Sequence, residues 1–116
     1  MNFYILTEGI GDKKIYREWI GFINPRLRYA NLINEDDQNC YYIETGGGYP
    51  YYLETIDGAI ETVNSTKLFD KLTISVDSED FTKQEKYDEI FNHIASKKCS
   101  AKVEIIIQHF CIETWL

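Results

Sequence analysis

Short apolar runs alternate along the chain with segments whose apolar residues recur at helical spacing. Four runs have the length and the β-branched or aromatic content of buried strands, at residues 2–7, 40–44, 72–76 and 103–107. The last run is almost uniformly apolar, as expected for a strand covered on both faces. The alternation favours an α/β fold, with a doubly wound, mainly parallel four-stranded sheet and helices on both faces.

Three amphipathic helices are predicted between these strands. The first extends from Asp12, a good N-cap, to about residue 22. Its apolar positions are Ile15, Trp19, Phe22 and Ile23. The second begins near Pro50, and its apolar positions are Tyr52, Ile56, Ile60 and Val63. The third follows a Thr82–Glu85 capping box, and its apolar positions are Tyr87, Ile90, Phe91 and Ile94. Residues 26–38 show no clear period and are interpreted as loop, and residues 111–116 as the start of a fourth helix.

The composition is that of an ordinary soluble protein. The 116 residues, of which 44% are hydrophobic and 27% charged, suit a single domain over 1–116. No apolar stretch could span a bilayer and no signal peptide is evident, so we expect a cytoplasmic protein with no membrane partner. The apolar end of the chain favours a domain truncated at its C-terminus. Cys40, Cys99 and Cys111 form no CxxC pair and are expected to be reduced packing residues.

Acidic residues follow three of the four predicted strands. With 12 Lys and Arg against 19 Asp and Glu, the net charge is −7, a poor charge for holding a nucleic acid unaided. Ligands of a doubly wound sheet bind beyond the carboxyl ends of the strands. The acidic residues there are Glu8, Asp77, Glu79, Asp80 and Glu113. Gathered at one edge, they would suit a hard cation such as Mg²⁺.

Three glycines, Gly46, Gly47 and Gly48, end the second predicted strand. Glycine lets the backbone approach a phosphate or a metal closely, and it also serves tight turns. Both explanations are open for this segment.

The order of these features resembles the Toprim domain. Glu8-Gly9, with Asp12 nearby, follows the first strand, the glycines end the second, and Asp77-Ser78-Glu79 ends the third. Topoisomerases, bacterial primases, small RNA maturases, recombination-mediator proteins and the overcoming-lysogenization-defect (OLD) nucleases share this domain. Residues 111–116, CIETWL, are also similar to the CFExW segment of Toprim-like proteins linked to OLD and RloB-type phage defence, which points to the nuclease branch.

The resemblance implies processing of nucleic-acid phosphodiester bonds with Mg²⁺ or Mn²⁺. It implies that Glu8 acts as general acid or base and that Asp77 binds the metal. The family has a second Asp where this chain has Glu79, so either Glu79 or Asp80 completes the metal site. Glu113 would be an additional carboxylate beside the metal.

Each of these residues also has an ordinary structural explanation. Glu8 and Glu113 would place negative charge near helix starts, and residues 77–80 would form a solvated turn. The basic residues of the first helix are interpreted as a solvated face, with contacts to phosphate as the alternative. These residues are Lys13, Lys14 and Arg17.

Two other functions compete with a nuclease. A non-catalytic Toprim-like module for binding or assembly, as a homo-oligomer or with a partner protein, would suit the net charge of −7. A receiver-like phosphoacceptor would also have an Asp after its third strand, where this chain has Asp77. That class needs paired acids after the first strand and a Lys after a fifth strand. Only Glu8 follows the first strand and four strands are predicted, which disfavours a receiver.

Overall fold

Five parallel strands form one sheet in the part of the chain that the structure describes. This computed structural model describes residues 1–8, 10–34, 36–46, 51–77 and 83–108. The strands are β1 Phe3–Thr7, β2 Arg28–Tyr29, β3 Cys40–Thr45, β4 Lys71–Asp77 and β5 Lys102–Gln108. The helices are α1 Ile10–Ile23, α2 Tyr52–Thr66 and α3 Lys83–Ile94. The sheet order is β2-β3-β1-β4-β5 and every pairing is parallel, which confirms the α/β class.

Helices cover both faces of this sheet. Leu6 of β1 belongs to the larger core cluster, together with Ile56 of α2 and Ile90 of α3. The next side chain along β1, Ile5, is in the second cluster, against which Tyr16 of α1 packs. Thus the chain leaves β1 toward one face, whereas it leaves β3 and β4 toward the other. The arrangement is compatible with a doubly wound fold, and the change of direction lies at the carboxyl end of β1.

β2 corrects the predicted number of strands from four to five. It consists of Arg28–Tyr29, which pair with Cys40 and Tyr41 at the start of β3. The segment 26–38 was predicted as loop because two residues are too few to display the period of a strand. The fifth strand removes one argument against a receiver-like protein. The receiver order of 2-1-3-4-5 nevertheless differs from the order found here.

α1 packs through a different stripe from the predicted one. Tyr16 and Ile20 pack against the sheet, whereas Phe22 is 90% exposed and Ile23 is 79% exposed. The helix carries apolar residues around more than half of its circumference, so periodicity alone did not identify the docked stripe. The helix also begins at Ile10, so Asp12 lies in its first turn and is not the N-cap.

The structure confirms the predicted buried face of α2. The four predicted residues, Tyr52, Ile56, Ile60 and Val63, are all buried. The helix ends at Thr66, and its C-cap residue Lys67 has a left-handed φ of 56° and donates its backbone N–H to the carbonyl of Val63. This left-handed residue closes the helix before the short turn into β4.

α3 departs from its predicted face at two positions. Ile90 is fully buried, but Tyr87 and Phe91 are exposed and stack on each other, with ring centroids 6.0 Å apart. The fully buried residue one turn before Ile90 is Lys86. Thr82 of the predicted capping box lies outside the described residues. None of the described helices is long and apolar enough to cross a membrane.

β5 lies at the edge of the described sheet and one of its faces is partly exposed, so the prediction that both faces are covered is wrong. Ile107 is buried, whereas Ile106 is 44% exposed. An apolar run therefore marked the strand correctly but did not reveal its position in the sheet.

The cysteines among the described residues are free thiols. Cys40 is buried and Cys99 is partly buried, as predicted for packing residues. Cys111 lies outside the described residues.

Candidate functional site

We call one edge of the sheet the carboxyl edge. It is formed by the carboxyl ends of β1, β3 and β4, at Thr7, Thr45 and Asp77. Glu8 is the first residue beyond β1, and only 8% of it is exposed. Its neighbour Thr7 is paired in register with Ser75 of β4, and both are buried. Burying a carboxylate is costly unless polar groups or a cation surround it. The burial of Glu8 therefore favours a role at this edge over a solvated helix-start position.

Asp77, the predicted metal ligand, reaches the same edge. The register pairs Thr7 with Ser75, so extending it by one residue puts Glu8 level with Val76, one step before Asp77. Strands about 4.8 Å apart that rise about 3.3 Å per residue would put the Glu8 and Asp77 Cα atoms about 6 Å apart. The backbones of adjacent strands thus place the Cα atoms of two predicted site residues near each other at the carboxyl edge.

The remaining predicted ligands lie outside the described residues. They are Glu79, Asp80, Glu113, Gly47 and Gly48. Gly46 is described and buried, and its N–H donates to the Thr7 carbonyl at 2.6 Å. A Cβ on Gly46 would lie 3.1 Å from the Tyr52 Cβ and 3.3 Å from the Thr7 oxygen. Close packing therefore accounts for this glycine, while an approach to phosphate stays a prediction.

Sequence reasoning missed a polar connection just below the carboxyl edge. The Tyr16 hydroxyl of α1 hydrogen-bonds the Ser75 hydroxyl of β4. The Thr7 hydroxyl donates to the Glu44 carbonyl of β3 at 3.4 Å. These bonds join α1 to β4 and β1 to β3 near the ends of the strands. The available signal was the occurrence of Thr7 and Ser75 near the ends of otherwise apolar strands.

A buried lysine was also missed. Lys86, in the first turns of α3, is fully buried, and its Nζ lies 4.3 Å from the centroid of the Tyr52 ring. The Tyr52 hydroxyl donates to the Glu89 carboxylate. Because α3 starts from the carboxyl edge, Lys86 adds a positive charge on that side of the molecule. Its spacing of four from Ile90 was the signal, since it puts Lys86 on the buried stripe.

Glu44 is already engaged in the core. Its carboxylate accepts a hydrogen bond of 2.5 Å from the Tyr4 hydroxyl, beside the Tyr42 ring. Burial, reinforced by Glu44, raises the pKa of Tyr4 above its ordinary value of 10.0. The pair stabilises the junction of β1 and β3, so we do not count Glu44 among the candidate ligands.

Within the described ranges, no group of three or more His, Cys, Asp or Glu side chains is arranged to hold a metal ion. Comparisons with protein-family models, with curated proteins and with solved structures found no match to the chain. Function is therefore inferred from the placement of the residues themselves and from the resemblance of their order to that of the Toprim domain.

Proposed function

We propose that the chain is a Toprim-type domain that uses Mg²⁺ or Mn²⁺ to cleave or otherwise process nucleic-acid phosphodiester bonds. The observation that carries the proposal is the burial of Glu8 at the carboxyl end of the central strand, beside the end of β4 that bears Asp77. Ligands of doubly wound proteins bind at such a change of direction. The similarity of residues 111–116 to OLD and RloB-type proteins extends the proposal to a cytoplasmic nuclease of phage defence.

The residues at the edge suit this chemistry. Glu8 would move a proton as general acid or base. Asp77, with Glu79 or Asp80 and with Glu113, would hold the metal, since carboxylate oxygens are the donors that Mg²⁺ takes in proteins. The bound ion would supply positive charge where negative charge develops on the transferring phosphoryl group. Lys86 would contribute further positive charge on the same side.

Metal binding provides the first test. Mn²⁺ is titrated into the wild type, Asp77→Asn and Glu61→Gln, and binding is followed by calorimetry or paramagnetic line broadening. Glu61 is an exposed carboxylate on α2, so Glu61→Gln controls for the loss of one negative charge. We expect the wild type and Glu61→Gln to bind equally and Asp77→Asn to lose binding. Equal binding by all three would contradict a metal site at Asp77.

Cleavage provides the second test. Labelled DNA and RNA oligonucleotides, single-stranded and duplex, are incubated with each variant and Mn²⁺. We expect cleavage by the wild type, and its loss in Glu8→Gln and Asp77→Asn. Unchanged cleavage by both variants would refute the assignment.

The exposed apolar end of α1 favours a second candidate, a non-catalytic assembly module. Trp19 is 42% exposed, and Phe22 and Ile23 are exposed much further. Such a group of apolar residues is typical of a surface that binds protein. This function predicts stable self-association, measured by sedimentation, that Phe22→Ser abolishes, together with no affinity for Mn²⁺. A monomer that binds Mn²⁺ would exclude it.

A further inference from the structure

Cations line a surface groove that the carboxyl edge does not use. Lys13, Lys14 and Arg17 of α1, together with Glu18 and Tyr41, enclose a cavity of about 490 Å³, which we call the cationic groove. The three cations share one side of the helix, because residues three and four apart are neighbours there. Among the described residues, none of the three forms an ion pair with an acidic side chain. Their charges are therefore available to a ligand.

Arg17 is oriented by an aromatic ring. Its guanidinium carbon lies 3.9 Å from the centroid of the Tyr29 ring, and the Lys13 Nζ lies 5.4 Å from the same centroid. The Tyr29 hydroxyl donates to Asn31 at 2.6 Å, and its ring packs on Tyr41 with centroids 5.6 Å apart. The guanidinium also interacts with the Tyr41 hydroxyl, and its remaining N–H groups are the donors that would bind the oxygens of a phosphate.

The cationic groove leads away from Glu8. α1 begins at Ile10, two residues after Glu8. At about 1.5 Å per residue, Arg17 lies about 10 Å along the helix from that start. A nucleic-acid strand with one phosphate at Glu8 would have to extend along α1 by about this distance to reach Arg17.

We propose that the cationic groove binds the sugar-phosphate backbone of a single nucleic-acid strand, next to the phosphodiester that is processed at Glu8. The proposal rests on the proposed function and names its substrate class. A duplex carries about one negative charge per 1.7 Å of its axis, whereas one strand carries about one per 3.4 Å. Because the chain has a net charge of −7, it repels a duplex more strongly than a single strand. The three cations of the groove therefore suit the lower charge density of a single strand.

Fluorescence anisotropy of a labelled 20-nucleotide oligo(dT), measured in EDTA with the full chain, tests this proposal. Arg17→Glu should weaken binding about tenfold or more at low salt, since it removes one phosphate contact and adds a repulsive charge. Lys98→Glu makes the same charge change in the exposed segment after α3 and should leave binding within about twofold, since Lys98 does not line the cationic groove. Arg17→Lys keeps the charge but loses the planar fork and should weaken binding severalfold.

The salt dependence of the oligo(dT) affinity measures the number of phosphate contacts. Three phosphate contacts give a log–log slope of about −2 for a single strand, at about −0.7 for each contact. Arg17→Gln should reduce the magnitude of the slope by about 0.7. A circular dichroism spectrum like that of the wild type shows that each variant is folded.

The outcomes separate this proposal from the proposed function. Binding in EDTA needs no metal, so binding that Arg17→Glu abolishes, in a protein that never cleaves, would support the groove and refute the nuclease. If the wild type cleaves, and Arg17→Glu binds oligo(dT) as well as the wild type does, the groove proposal alone is refuted. The groove proposal would be overturned if the chain bound a duplex more tightly than oligo(dT) or did not bind oligo(dT). It would also be overturned if Lys98→Glu weakened binding as much as Arg17→Glu, or if equimolar thymidine monophosphate displaced the oligonucleotide.

Discussion

Replacing Gly46 by alanine tests the packing at the carboxyl edge. The new Cβ would lie 3.1 Å from the Tyr52 Cβ and 3.3 Å from the Thr7 carbonyl oxygen. Neither neighbour is the end of a flexible side chain, because one is the root of a fully buried residue and the other belongs to the central strand. Relief therefore requires β3 and α2 to separate. Overpacking of this kind costs about 1–3 kcal/mol.

A glycine in α2 provides the matched control. No described atom outside the helix lies within 4 Å of a Cβ built on Gly58. Alanine there relieves the conformational cost of a helical glycine without a clash. Gly58→Ala should thus raise the free energy of unfolding by about 0.5–1 kcal/mol.

Urea and thermal unfolding followed by circular dichroism measure both changes. For a chain of 116 residues, about 1 kcal/mol corresponds to about 4 °C in Tm. We expect Gly46→Ala to lower Tm by about 4–12 °C and Gly58→Ala to raise it by about 2–4 °C. If Gly46→Ala were as stable as the wild type, the packing explanation of this glycine would be wrong and a ligand-related reason would be favoured.

Three further predictions concern the core, the buried lysine and alkaline pH. Ile56→Ala should cost about 2–5 kcal/mol in urea unfolding. Phe22→Ala should cost less than about 0.5 kcal/mol, and equal costs would contradict the assigned helix faces. Lys86→Met keeps the aliphatic stem but removes the charge, so Mn²⁺ binding should persist while oligonucleotide cleavage falls; unchanged cleavage would exclude a role for the charge. Because burial and the bond from Tyr4 to Glu44 raise the Tyr4 pKa, the folded chain holds this proton more tightly. The stabilisation is complete below about pH 10 and is lost as the pH rises further. Urea unfolding from pH 8 to 11 should show a smaller decline in Tyr4→Phe than in the wild type, and parallel declines would contradict the coupling.

Local sequence patterns were sufficient to predict a helix or strand where a single kind of interaction determines its structure. The 4-4-3 spacing of α2 identified all four of its buried positions, because that helix has one apolar stripe and covers the sheet with it. The four longer strands were found because each is an apolar run bounded by polar residues or glycine. β2 was not found, since its two residues form a strand only by pairing with β3.

The site residues were likewise predicted where a local sequence pattern marked them and missed where tertiary contacts placed them. The acidic residues after β1 and β4 were visible in the sequence, because a carboxylate directly after a buried strand is conspicuous. The burial of Lys86 was not predicted, since lysine on a helix ordinarily faces solvent. The contacts of Lys86 and Arg17 involve Tyr52 and Tyr29, which come from other parts of the chain.

The sequence by itself determined the alternation of strands and helices, the α/β class and the positions at which acidic residues follow strands, because these depend on neighbours within a few residues. Only the tertiary structure decided the order of the strands, the stripe through which α1 docks and the burial of Glu8 and Lys86. These features depend on contacts between residues far apart in the chain, and the free energy of such contacts is not encoded in any local pattern.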